Sequence, residues 1–125
     1  MKKLAQHTTV FAGLIILFLP LVSACHSMER YRAGPTALQI YMLEEDGHTT
    51  QSLLLSKKAV RKFSKSPLLH LQYGDLLLKR NDPKSAILSY RVAESLLLAF
   101  PTSRERDFEL KLVRQRIEDI SSPTP

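Results

Sequence analysis

Shifted against itself by 34 residues, the chain falls back on its own pattern. Ala59 lands on Ala93 and Pro67 on Pro101. Gly47 lands on Asn81, and both residue types favour the left-handed backbone that closes a helix. The stretch SLLLSKKAVRKFSKSP lies over AILSYRVAESLLLAFP. A self-similar period of this length, with two helices in each unit, marks a helical repeat.

The local signals agree with helices. Leu68 to Lys79 carries leucines and Tyr73 at helical spacing and is stopped by Asn81-Asp82-Pro83. Asp82 is a good N-cap, and Pro83 suits the first helical position, where no amide hydrogen is needed. The next helix is expected from Pro83 to about Ala99, with Ala86, Tyr90, Ala93 and Leu97 recurring every three or four positions and Pro101 closing it. Thr102 with Glu105 reads as a capping box for a last helix to about Ile120. Leu110, Val113, Ile117 and Ile120 share one face of that otherwise charged helix. Upstream, Ala37 to Leu43 reads as a helix ending in the turn Asp46-Gly47, and Thr49 or Thr50 caps a further helix through Leu53 to Phe63. Ile40-Tyr41-Met42 is the one short stretch where a strand competes. The expected fold class is all-α, an antiparallel hairpin array of about five helices.

Pro67 to Phe100 resembles a tetratricopeptide repeat. That family places small residues where Gly74, Ala86 and Ala93 stand and an aromatic ring where Tyr90 stands, the places where two helices cross closely. Asn81-Asp82 stands where the family usually has Gly-Asp, His70 where it has an aromatic residue, and Leu98 where it has a proline, with Pro101 three residues later. The preceding unit, Ala33 to Ser66, keeps Gly47 and Ala59 but carries Ile40, Ser52 and Ser56 at other signature positions. The alternative is an ordinary helical bundle with coincidental spacing. The resemblance implies a concave surface that binds a peptide or helix. The positions it implies are Tyr41, Glu44 and Glu45 in the first unit and Leu68, Leu71, Asp75, Leu78 and Lys79 in the second. Leucines on an open face need a cover, and two units fall short of the three usually needed for stability. A partner, self-association or the last helix folding back answers both.

The N-terminus carries a different message. Met1-Lys2-Lys3 is a positive start, Val10 to Val22 is an apolar run without a charge, and Val22-Ser23-Ala24-Cys25 follows at once. That order is the pattern of a secretory signal, and the run is short of the ~20 apolar residues of a comfortable membrane span. Residues 22–25 resemble the lipobox of bacterial lipoproteins. The resemblance implies a signal peptide over 1–24, cleavage before Cys25, and acyl chains such as palmitate on that residue, the chain's single cysteine. The alternative is an uncleaved anchor with an incidental cysteine. Residues 25–35, polar and ending in Gly34-Pro35, then read as a lipidated tether, 36–120 as the helical domain and 121–125 as a disordered tail. His26, rather than an aspartate, after Cys25 leans towards sorting to the outer membrane, facing the periplasm.

Removing residues 1–24 leaves 101 residues, enough for one small domain, with no disulfide to hold it. The full chain has a net charge of +6, and the part after residue 24, with 16 basic and 12 acidic residues, about +4. The excess sits mainly in Lys57, Lys58, Arg61, Lys62 and Lys65, which either meets anionic lipid or an acidic partner or is the solvated face of a helix. Nucleic acid is not an expected partner of an exported protein.

No catalytic, metal or cofactor motif stands out. His26, His48 and His70 are isolated, Glu44-Glu45-Asp46 reads as a solvated helix end, and the four glycines form no phosphate loop. The expected function is therefore not enzymatic. It is that of a lipid-anchored periplasmic adaptor or scaffold binding a protein partner of the cell envelope. Its architecture resembles the pilotins of secretion and pilus systems and the repeat lipoproteins of tight-adherence pili. A structural, immunity or exclusion lipoprotein is the alternative.

Overall fold

Helix ends set by capping chemistry divide the chain. The computed structural model describes residues 29–122, and the expected signal peptide, Cys25, His26 and the last three residues lie outside the described residues. Within them, α1 occupies 29–45, α2 Thr49–Lys62, α3 Pro67–Lys79, α4 Pro83–Ala99 and α5 Arg104–Ser121. No strand occurs among the described residues, and Ile40-Tyr41-Met42 is helical.

The two hairpin turns are built alike. In the first, Gly47 has φ 77°, its N–H donates to the Glu44 carbonyl, and the His48 N–H reaches back to Leu43. In the second, Asn81 has φ 60°, its N–H donates to Leu78, and the Asp82 N–H reaches Leu77. Both are Schellman closures, which need one residue in the left-handed region, and they stand 34 residues apart. Caps then restart the chain. Asp82 accepts from the Ser85 N–H at 3.1 Å, with Pro83 opening α4. Ser66 accepts from Leu69, with Pro67 opening α3.

Three expectations change. Residues 29–35, read as part of a tether, belong to α1, with Ala33 fully buried. Gly34-Pro35 is no turn, because apolar contacts along Ala33, Ala37 and Ile40 hold the segment helical through it. Neither Thr49 nor Thr50 caps α2. The closure of α1 consumes residues 46–48, so the helix begins at Thr49, and His48 supplies no side-chain cap. The cap of α5 is Ser103, which accepts from Arg106 at 3.1 Å, not Thr102.

Two apolar clusters meet on α3. Ala33, Ala37, Ile40, Ala59, Leu69 and Leu76 join α1, α2 and α3. Leu77, Ala86, Tyr90, Ala93, Leu97, Leu110, Val113 and Ile117 join α3, α4 and α5. A helix covered on two sides must be apolar on two sides, which accounts for the leucine-rich sequence of α3. Among α2, α4 and α5, it packs most extensively on α4. A Cβ at Gly74 would fall 2.5 Å from Cε1 of Tyr90, so the ring lies directly on the glycine backbone.

Candidate functional site

The odd-numbered helices enclose a hollow of about 450 Å³. Its wall comes from the last turns of α1 (Tyr41, Glu44, Glu45), the second half of α3 (Gln72, Asp75, Leu76, Leu78, Lys79) and Arg116 of α5. Six of the eight partner-binding positions expected from sequence thus line one hollow: Tyr41, Glu44, Glu45, Asp75, Leu78 and Lys79.

Leu68 and Leu71 do not line it. Leu68 is exposed on the first turn of α3, and Leu71 packs against the α3–α4–α5 cluster. The physical reason is position along α3: Leu68 and Leu71 lie two turns and one turn before Asp75, whereas the wall is completed where Glu44 pairs with Lys79 and Arg116 with Asp75.

Charge pairs frame the opening. Lys79 Nζ donates to Glu44 Oε2 at 2.8 Å, and the buried Ser52 hydroxyl donates to the other carboxylate oxygen. Burial works against the charge on Glu44, but the bonds from Lys79 and Ser52, with the charges of Lys79 and Arg80, hold its carboxyl below the usual range. The Glu44 bond in turn raises Lys79 above its usual value against the opposing effect of burial. A carboxylate held ionised in this way is a structural anion rather than a proton donor.

Behind that rim, the Tyr90 hydroxyl donates to Asp75 Oδ1 at 2.6 Å. Burial first, and then Asp75, push the Tyr90 phenol well above its ordinary range. Arg116 Nε lies 3.4 Å from the same Asp75 oxygen, a charge contact without the alignment of a hydrogen bond. Gln72 Nε2 donates to the Ala37 carbonyl at 3.0 Å, which fixes its amide and leaves Oε1 buried without a partner. Gln72 and Arg116 both line the hollow, but Gln72 Oε1 and Arg116 Nε are themselves buried.

Gln72 and Arg116 are the members that the sequence did not single out. Arg116 sits on a face of α5 that reads as solvated, and Gln72 has no motif around it. Elsewhere, His70 Nε2 is tied to the Ser64 carbonyl at 2.8 Å. Among the described residues no three His, Cys, Asp or Glu side chains converge to hold a metal ion, and no helix is long and apolar enough to cross a membrane. The chain matches no protein-family model, no curated protein and no solved structure.

Proposed function

We propose that this protein is a lipid-anchored adaptor of the bacterial cell envelope, held by acyl chains on Cys25, that binds a segment of a protein partner in the α1–α3–α5 hollow. The observation that carries the reading is the convergence of three helices on one hollow that carries the Glu44–Lys79 and Asp75–Arg116 charge pairs, which suit the polar groups of a peptide. Tyr41, 56% exposed, and Leu78 supply apolar contact beside them. The helices themselves read as a short tetratricopeptide-like array. The repeated closures at Gly47 and Asn81 and the seating of Tyr90 on Gly74 support this. The periplasmic face of the outer membrane is the proposed location, and assembly of a secretion or pilus system, in the manner of a pilotin, the proposed setting.

Site-specific photo-cross-linking in living bacteria tests the hollow. A benzophenone side chain at Tyr41 or Leu78 is expected to give a discrete protein adduct. The same group at Leu88, 69% exposed on α4, is expected to give none. Equal labelling at Leu88, or no adduct at either hollow position, overturns the site. For the anchor, incorporation of a palmitate analogue is expected to vanish in Cys25→Ser, and a label that persists rejects it.

A further inference from the structure

Alternating helices gather their ends at two poles. At one pole lie the start of α1, the α2–α3 loop and the α4–α5 loop, drawn together where Glu29 Oε1 accepts from the Lys65 N–H at 3.2 Å and Arg30 pairs with Glu109. At the other lie the α1–α2 and α3–α4 turns, where Arg80 donates to Thr50 Oγ1 at 3.1 Å.

The poles differ in charge. Taking the first four described residues of α1, the four terminal residues at every other helix end and the loops between them, the first pole carries seven Lys and Arg against three Asp and Glu. The second carries three against six. Arg32, Arg61, Lys62 and Lys65 are exposed at the first pole, and none of them enters an ion pair among the described residues. Lys57 and Lys58 carry the same face a turn further along α2. Tyr31 stands beside them, 85% exposed.

Helix from residue 29 onward changes what surrounds that pole. A tether through residue 35 spans up to ~35 Å when extended, but the four residue steps from Cys25 to Glu29 span no more than ~14 Å. With a Debye length of ~8 Å at physiological ionic strength, a membrane's surface potential falls to about 1% at ~35 Å but keeps about a sixth or more of its value within ~14 Å.

We infer that the basic pole is a membrane-facing surface that rests on anionic lipid headgroups, with Tyr31 at headgroup level. This rests on the reading of Cys25 as the lipid anchor. Each Lys or Arg near an anionic surface contributes ~1 kcal/mol of attraction, and an exposed aromatic ring is at home in that interface. The helices then stand along the membrane normal. Most residues that line the hollow come from the halves of α1, α3 and α5 nearer the acidic pole, away from the lipid. A second anchoring element of this kind does more than hold the protein. It fixes which way the hollow faces.

The test uses the full-length protein, purified in detergent and reconstituted into vesicles of phosphatidylcholine alone or with one third phosphatidylglycerol. A short pulse of a water-soluble acetylating reagent is read residue by residue by mass spectrometry. Lys62 and Lys65 are expected to react about fivefold more slowly on the anionic vesicles, while Lys79 and Lys84 at the opposite pole do not change. The difference is expected to disappear in 1 M salt, where the Debye length is ~3 Å. Arg32→Gln combined with Arg61→Gln is expected to restore the reaction of Lys65 on anionic vesicles, its helicity checked by circular dichroism. Equal rates at the two poles, or the same protection on pure phosphatidylcholine, overturn the inference and leave the basic face to an acidic protein or to water. Intact mass on the same samples separates the two readings. An acylated Cys25 with equal rates rejects the membrane-facing pole alone, whereas a Cys25 without acyl mass rejects the anchor and the inference with it.

Discussion

Tyr90 is seated on the backbone of Gly74, and the counterparts of this pair 34 residues earlier are Ile40 and Ser56. Ile40, Ser56 and Tyr90 are fully buried, and Gly74 is buried as well. In one unit the first helix is small and the second brings the ring. In the other, the first helix brings the bulk and the second is small. Close packing requires the pair to fill the space, not each position to keep its size. This exchange explains why the first unit departs from the repeat pattern without losing its core. Gly74→Ala is expected to lower stability by ~1–2 kcal/mol, since overpacking against a ring held by Asp75 outweighs the better helix propensity of alanine. Thermal unfolding checks it, and an unchanged midpoint contradicts the seating of the ring. Ser56 makes the opposite case. Its buried hydroxyl has no hydrogen-bond partner. Ser56→Ala is therefore expected to raise stability by about 1 kcal/mol in a denaturant titration, and a loss of that size means that the hydroxyl is satisfied.

At the scale of elements, carboxylates tie neighbouring helices together. Glu44 joins α1 to Lys79 of α3 and to Ser52 of α2. Glu94 of α4 accepts from Arg114 of α5 at 2.9 Å and from Arg91 at 3.0 Å, and Arg114 leads the causes that lower its carboxyl, with burial opposing. Both groups titrate lower in the folded protein than their ordinary value of 4.5. A depressed folded value means that the unfolded chain takes up the proton first. The stabilisation is then complete above the ordinary value and is lost as pH falls through the folded one. Urea midpoints are expected to hold steady from pH 7 to about 5 and to fall below it. The double variant Glu44→Gln, Glu94→Gln should have a lower midpoint at pH 7 and a flatter acid limb. An acid limb as steep as in the parent protein removes these two residues as its source.

For the whole molecule, α3 is the shared wall of both clusters, and α5 serves as cover for the second. Leu110, Val113 and Ile117 close over Tyr90, Ala93 and Leu97. Removing α5 uncovers that set, at ~25 cal/mol per Å² of apolar surface returned to water. A chain ending at Ser103 is expected to lose cooperative unfolding, or to self-associate by light scattering. A monomeric, cooperatively unfolding product shows that the first four helices suffice. The same helix reaches the hollow through Arg116, beside Asp75, while its Glu109 pairs with Arg30 of α1. The charge polarity of the array is a property of this scale too, since its residues come from the ends of all five helices and the loops between them.

Local rules were enough to read much of the chain. The Asp82-Pro83 start and Ala99 end of α4, the Gly47 and Asn81 closures and the α5 stripe of Leu110, Val113 and Ile117 each depend on residues within a turn or two of one another. Capping, backbone handedness and periodicity act over that range, so the sequence by itself determined the all-helical class, the number of helices and most of their ends. It also brought Tyr41, Glu44, Glu45, Asp75, Leu78 and Lys79 to notice through a repeat pattern. It did not determine that 29–35 is helical, because the contacts of Ala33 with a distant cluster override Gly34-Pro35. Nor did it determine the exclusion of Leu68 and Leu71 from the hollow, or the inclusion of Gln72 and Arg116. Those outcomes depend on how helices pack together, with α5 against α4 through Leu110, Val113 and Ile117 and with Arg116 beside Asp75, contacts beyond the reach of any local rule.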